Sequence, residues 1–439
     1  MDPHLKCKSP SPAYSLYQRE VFLAGAKGIA PPFSIEPSKL EVSAKQKLTG
    51  AAWSYVAATA GAGWTERANR EAFYHWRIIP RALTDTCCRD LTVCIFGHHI
   101  PAPIIFAPIG LNKVYQCCGG ETIPAKIAGE LGLPYVFSTA ASCTIENVAA
   151  ANDFGAAIKN ESNSIWRGPS GTHGNPKAPR FFQLYMSHDD EVTLSLLNRA
   201  WASGYDVLMF TVDAWQTGWA SEAIDNGSYP FYEGDGNDVG ASDGVFVKKY
   251  GDLKTDKTKW VDKHVYHGKA HIWEKVRWLV WQWRHITGGR PVVLKGILSA
   301  HDALKALEYG CDGIVVSNHG GRQIDGETAS LDVLPEIVEA VKGRMTILFD
   351  SGIRTGADVF KAVALGADAV LVGRPWVYGM AHGGERGVRH VIKSLLADLD
   401  ITMTLSGYKS LKLDVNSSAL RWHPTGAAPA EGTVPCCKL

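Results

Sequence analysis

The chain has 439 residues, enough for two or three average domains or for one barrel with insertions. Its 45 Lys and Arg nearly cancel its 44 Asp and Glu, and no basic stripe interrupts that balance, so neither nucleic acid nor an acidic membrane surface is an expected partner. Ten cysteines include the adjacent pairs Cys87/Cys88, Cys117/Cys118 and Cys436/Cys437, which argues against a disulfide framework and a CxxC metal site and fits a reducing compartment.

Residues 1–14, with Pro3, Pro10 and Pro12 among Lys and Ser, read as a disordered N-terminus without the apolar core of a signal peptide. No run in the chain approaches the roughly 18 apolar residues of a membrane span. Residues 17–23 read as a first amphipathic helix. From Pro37 a second helical pattern runs through Leu40, Val42, Ala44 and Leu48 towards Trp53, Tyr55 and Val56. Residues 15–100 are thus expected to form a helical extension that precedes any strand and covers one end of the strand-bearing unit C-terminal to it.

From residue 103 short apolar runs alternate with helical periodicity. Strands are expected at 103–106, 135–138, 181–185, 207–212, 292–295, 314–317, 346–350 and 369–372, with helices at 122–131, 145–151, 191–202, 300–309, 334–341 and 356–365. A strand followed by a helix, repeated around a unit of 101–411, predicts an α/β fold, a (β/α)8 barrel of the TIM type, rather than an open sheet. Two insertions interrupt the rhythm. One, 159–179, is rich in Asn, Ser, Gly and Pro. The other, 214–268, follows the fourth strand and is long enough to be a lid over a catalytic rim. A helix then begins near Ile272, and its tryptophans 273, 278, 281 and 283 are read as packing. The tail, 412–439, runs through an Ala-, Gly- and Pro-rich stretch to Cys437-Lys438-Leu439, a variant of the Ser-Lys-Leu peroxisomal address.

In such a barrel the C-terminal ends of the strands share one face, so residues there form a constellation. In chain order they are Ala107 and Pro108, Ser138, Gln183 with Tyr185, Thr211 with Asp213, Lys295, Ser317 with His319 and Arg322, Asp350, and Gly373 with Arg374. His319 and Arg322, three positions apart across two glycines, pair an acid/base group with a cation suited to a carboxylate. Gly352, Arg354, Gly373 and Arg374, beside the helix start at Gly356, read as a phosphate cradle at the position where barrels often hold one. Lys295, across the mouth, points to a cofactor that spans the barrel and gains negative charge on reduction. His264, His267, His98 and His99 are read as surface residues, and no metal site is expected.

The strings Ser317 to Gln323, Lys295-Gly296-Ile297, Asp350 to Gly356, Gly373-Arg374-Pro375, Phe181 to Tyr185 and Thr211-Val212-Asp213 resemble the FMN-dependent α-hydroxy acid oxidase and dehydrogenase family from about Tyr17 to Leu411. Tyr17 to Glu20, the segment 53–73 and Ser138 to Ser142 look closest to its lactate 2-monooxygenase-like fungal branch. The resemblance implies FMN as cofactor and oxidation of an L-2-hydroxy acid to the 2-keto acid, with O2 as acceptor giving H2O2. It implies His319 as base, Asp213 as its orienting partner, Arg322 and Tyr55 as carboxylate ligands, and Tyr185 on the substrate oxygen. Ser138, Gln183, Thr211 and Lys295 would face the flavin ring. A homotetramer is implied too.

The chain departs from the family at Ala220, where many members carry an arginine, at Ala140, where glycolate oxidases carry a tryptophan, and at Thr59 and Ala62. These losses predict a roomier pocket and a bulkier 2-hydroxy acid. The alternatives are oxidative decarboxylation of the lactate 2-monooxygenase type and, in another class, a flavin-binding protein with lapsed catalysis.

Overall fold

The structure, a computed structural model, describes residues 9–161, 178–251, 253, 256 and 258–424, the side chains of 159–161 excepted. Eight parallel strands close into a barrel: β1 (Ile104–Phe106), β2 (Tyr135–Ser138), β3 (Arg180–Leu184), β4 (Val207–Thr211), β5 (Val292–Ile297), β6 (Gly313–Val316), β7 (Thr346–Phe349) and β8 (Ala369–Val372). The pairing of Val370 with Ile104 and of Val372 with Phe106 shuts the ring. Each expected strand is present within about two residues of its expected ends.

The strands are buried on both faces, as continuous apolar runs between helices and a filled lumen should be. Alternation decides which residues fill it. Ile105, Val136, Phe181, Met209, Val293, Val315, Leu348 and Leu371 form the inner cluster. Their neighbours Ile104, Phe137, Phe182, Leu208, Leu294, Ile314, Phe349 and Val370 pack outward under the helices. Two residues beyond each inner member, on the same face, stand Ala107, Ser138, Gln183, Thr211, Lys295, Ser317, Asp350 and Gly373. The polar constellation is therefore the top layer of the barrel lumen.

The opposite end is plugged by a hairpin absent from the sequence reading, Val93–Ile95 paired with His98–Ile100. Ile95 and Ile100 join the inner cluster, and the Phe96 ring lies so close to Gly313 that a Cβ there would come within 2.9 Å of it. Burying Ile95 and Ile100 contributes roughly 1.5–3 kcal/mol each.

The N-terminal extension differs from expectation in three ways. The second helical pattern is two helices, α2 (Pro37–Lys45) and α3 (Gly50–Val56), the latter capped by Thr49 Oγ1 accepting from Ala52 N. After α1 (Leu16–Gly25) and these two comes α4 (Trp64–His75), which the sequence reading missed. Strands also precede the barrel: besides the hairpin, Trp76–Ile78 pairs antiparallel with Leu420–Trp422, so part of the expected tail returns to the extension. Residues 9–14 are packed rather than loose, with Tyr14 buried and Ser11 Oγ donating to Arg89 O at 3.1 Å. Met1 to Lys8, most of the insertion at 159–179 and the terminal Cys437-Lys438-Leu439 lie outside the described residues.

The long segment after β4 contains short helices and ends in a π-turn at Val261–Val265. Trp283 is buried as expected, but Trp281 is exposed and stacks on His285 at 5.1 Å. His264 is buried, contrary to its reading as a surface residue, with its ring 2.7 Å from Ser187 Oγ. After β8 comes a helical segment, Arg374–Ser406, broken at Gly383 and Gly384.

Candidate active site

A cavity of about 900 Å³ opens at the C-terminal mouth of the barrel. Tyr55, Pro108, Ser138, Tyr185, Lys295, His319, Arg322, Asp350, Gly352, Arg354, Gly373 and Arg374 line it. Asp213, Gln183, Thr211 and Ser317 do not line it but hold its wall through bonds to His319, Ser138 and Lys295, and Ala107 stands next to the lining Pro108. The volume is at the upper end of the roughly 300–1,000 Å³ of ligand sites, enough for a cofactor with a substrate.

The floor is a ladder of satisfied polar groups. Ser138 Oγ donates to Gln183 Oε1 at 2.9 Å, and Gln183 Nε2 donates to Thr211 Oγ1 at 2.9 Å. All three are buried, and the ladder fixes the amide orientation. Lys295, also buried, donates to Ser317 Oγ at 2.9 Å and lies 3.3 Å from Asp350 Oδ2. Burial alone would depress its ammonium, but Asp350 and Asp213 outweigh burial and raise its pKa, so the floor carries a fixed positive charge.

His319 sits at φ +58°, followed by Gly320 at +70° and Gly321 at +75°. Three successive left-handed residues turn the chain sharply out of β6, and Gly321 is required because a Cβ would come within 2.6 Å of Glu66 N. The turn is held from several sides. His319 N donates to Ser317 Oγ at 3.0 Å and Gly320 N to Ser351 Oγ at 3.0 Å. Asn318 exchanges two amide hydrogen bonds with Asn69 of α4, at 2.7 and 2.8 Å.

The His319 ring is thereby placed with Nδ1 2.9 Å from Asp213 Oδ1. The carboxylate accepts a hydrogen bond from the Nδ1 N–H, which leaves Nε2 as the basic nitrogen. Burial pushes the imidazole below its ordinary range, Asp213 pulls it back up in part, and the net shift is downward. Burial would raise the Asp213 carboxyl, yet His319 and Lys295 beside it hold it below the usual range. The pair is thus a neutral base backed by a carboxylate. Gln323 Nε2 donates to Asp213 O at 2.8 Å and to Gln216 O at 3.0 Å, tying the loop after β4 to the loop after β6.

The arginines divide differently from expectation. Arg322 Nη1 donates to Tyr55 O at 2.7 Å, and its guanidinium lies 5.1 Å from the centre of the Tyr55 ring. Arg374 donates through Nε to Val56 O, through Nη1 to Gly320 O and through Nη2 to Ala58 O, at 3.1, 3.0 and 2.9 Å. Two of its five N–H donors remain, so its first role is to tie the end of α3 to the loop after β6. The helix start near Gly356 is also engaged. Asp398 accepts from Gly356 N, and Asp358 Oδ2 accepts from Arg354 N and Thr355 N at 2.9 and 3.0 Å. The amides at that helix start are therefore already taken, which leaves the Arg354 and Arg374 guanidinium groups and the Gly352 and Gly373 turns of the expected cradle.

Sequence reasoning missed several members. Tyr266, just after the π-turn, reaches over the cavity with its ring 5.1 Å from Tyr185, and its hydroxyl interacts with those of Tyr55 and Tyr185. Tyr115 and Tyr229 extend the aromatic wall. An isolated tyrosine in a long polar insertion carries no periodic signal. Asn318 was in plain view inside the His319 motif, but Asn69 lies 249 positions away from it. Ala140 and Ala220 both face the cavity.

The donor set fits a flavin mononucleotide: a buried polar floor for a flat ring, one fixed cation, and arginine at the opposite rim for a phosphate. Residues 44–421 match the family model described as FMN-dependent dehydrogenase. The chain is 42% identical over 421 residues to an FMN-dependent alpha-hydroxy acid dehydrogenase of Penicillium citrinum, covering 94% of this chain and 97% of that protein. It is 36% identical over 369 residues to a peroxisomal (S)-2-hydroxyacid oxidase of Arabidopsis thaliana, covering 83% and 90% respectively. The crystal structure of a mandelate oxidase superimposes with a TM-score of 0.72 at 31% identity, covering 89% of this chain and 98% of that one.

Proposed function

The chain belongs to the FMN-dependent α-hydroxy acid dehydrogenase and oxidase family, oxidoreductases acting on CH–OH, and from that premise we propose that it oxidises a bulky L-2-hydroxy acid to the 2-keto acid with O2 as acceptor. The observation that carries this is the His319–Asp213 pair, 2.9 Å apart, on a cavity that Arg322 also lines.

FMN, when bound, supplies the acceptor for the two electrons that leave the substrate's α-carbon. Ser138, Gln183, Thr211 and Lys295 would hold its ring, Gly352, Arg354, Gly373 and Arg374 its phosphate, with Ala107, Pro108, Ser317 and Asp350 completing the seat. Arg322 and Tyr55 bind the substrate carboxylate, the guanidinium through the edge that Nη1 leaves open. Tyr185 hydrogen-bonds the hydroxyl oxygen. His319 Nε2 takes a proton from the reacting CH–OH unit, and Asp213 stabilises the imidazolium that forms. Lys295 would supply a fixed positive charge to the ring and so favour its reduced form. The overall balance is one hydroxy acid and one O2 to one keto acid and one H2O2.

Ala140 and Ala220 in the wall, together with Tyr115, Tyr185, Tyr229 and Tyr266, support a bulky, partly aromatic or aliphatic side chain. The relative named as a peroxisomal oxidase supports O2 as acceptor and, with Cys437-Lys438-Leu439, a peroxisomal address. A homotetramer is part of the same reading, and light scattering of the purified protein tests it.

The decisive experiment is anaerobic absorbance of the flavoprotein with a panel of 2-hydroxy acids. Bleaching by mandelate or 2-hydroxyoctanoate, and H2O2 on admitting O2, is expected. Comparable turnover of glycolate or lactate would overturn the bulky-substrate assignment. A flavin that no acid bleaches would overturn the activity, and a decarboxylated product in place of H2O2 would overturn the oxidase assignment.

A further inference from the structure

Three histidines outside the cavity meet where the lid segment rejoins the barrel. His188 lies in the loop after β3, and His267 and His271 lie between the π-turn and the helix Trp273–Thr287. One ring nitrogen of each falls within 4.8 Å of the others. The His188 ring centre is 4.1 Å from that of His271 and 4.5 Å from that of His267.

Every ring uses Nε2 on a backbone carbonyl. His267 and His271 both donate to Met186 O, at 3.1 and 2.8 Å, and His188 donates to Lys269 O at 3.1 Å. A proton held on Nε2 in this way leaves the lone pair on Nδ1. A carbonyl on the far nitrogen is also the outer hydrogen bond that orients metal-bound histidines. Nδ1 of His267 accepts Lys269 N at 3.3 Å, a long local bond around Gly268 that a ligated ion would replace. The carboxylates next to His188 are engaged elsewhere, Asp189 by Lys249 at 3.1 Å and Asp190 by Lys275 at 2.5 Å. Trp215 packs against His271, ring centres 5.4 Å apart, and gives the cluster an apolar back.

We propose that His188, His267 and His271 form a binding site for one divalent transition-metal ion of the zinc class, with water in the fourth position. Three imidazoles without a carboxylate or thiolate select zinc, copper or nickel over calcium or magnesium. The ion joins two segments that each carry a cavity tyrosine. His188 is three residues beyond Tyr185, and His267 follows Tyr266, whose ring touches Tyr185. Binding therefore clips the end of the lid segment over the cavity. Ion uptake does not depend on the proposed reaction, whereas any effect on turnover rests on it.

The test is calorimetric titration of untagged, chelator-treated holoenzyme with zinc, in a Cys117→Ser/Cys118→Ser background that removes two exposed thiols. One zinc per chain is expected. His188→Gln, at an exposed position, should weaken binding at least about tenfold, and so should His271→Gln. Zinc should also slow proteolysis within 214–268 in the parent and not in either variant. No uptake, or uptake equal in parent and His188→Gln protein, would overturn the site.

Discussion

Arg322 and Arg374 donate to the same two main-chain carbonyls, those of Val56 and Ala58, just beyond Tyr55 on α3. Two cations from the loops after β6 and β8 thus hold one helix end against the cavity. Lysine at position 374 cannot span three carbonyls as the planar fork does. Arg374→Lys should lower stability by about 1–3 kcal/mol, chiefly through Gly320 O, the one of the three carbonyls that Arg322 does not also reach. Chemical denaturation of the apoprotein measures it, and an unchanged midpoint would show that Arg322 alone suffices.

Asp213 raises the His319 pKa while burial lowers it, and burial prevails. The acid limb of kcat/KM should therefore lie below the ordinary imidazole value of about 6.5. Asp213→Asn removes the raising influence, so the limb should move to lower pH while the plateau rate falls, on the order of 10²-fold or more. A limb that moves upward would contradict the assigned geometry.

Lys295 and Asp350 form a buried ion pair at 3.3 Å. Lys295→Met leaves the carboxylate without its partner and should cost about 3–5 kcal/mol. Adding Asp350→Asn should recover part of that loss. The non-additivity in a double-mutant cycle is the readout, and strict additivity would mean the pair does not act as one.

Glu327 is raised to about 7, by burial first and by Asp213 second. A carboxyl whose folded pKa exceeds its unfolded value loses stabilisation as pH rises through the folded value. Glu327→Gln should accordingly be more stable than the parent above pH 7, with the difference vanishing below the unfolded value of about 4.3. Thermal midpoints of both proteins across that window check the sign.

Ala220 faces the cavity and pairs across the backbone with Ala60. Ala220→Arg should add a cation and remove space. Turnover of lactate should rise relative to mandelate or 2-hydroxyoctanoate, by roughly tenfold or more in the ratio of kcat/KM. A ratio that does not change would place the bulky side chain elsewhere in the cavity.

The barrel was legible because its signal is local. Each strand is a short apolar run with a polar residue at its exit, and period-two geometry carries the face of Val293 to Lys295 and of Phe181 to Gln183 without any knowledge of neighbours. The extension was less legible. A pause of four residues between α2 and α3 looks like continuous periodicity, and α4 is mostly polar because only part of one face is buried. The hairpin plug has strands of three residues, too short for alternation to register. At the site, His319, Asp213 and Arg322 were readable, whereas the use of Arg374 as a tether and the closure of the Gly356 helix start by Asp398 were not.

What the sequence by itself determined was the order of eight strand and helix units and the chemical identity of the layer at their ends, since both depend on residue type and spacing along the chain. Only the tertiary structure decided which donors are already taken, that the Asp213 carboxylate faces His319, and that three histidines converge where the 214–268 segment ends. Those properties depend on distances between residues tens to hundreds of positions apart, and electrostatic and hydrogen-bond energies are fixed by such distances rather than by composition.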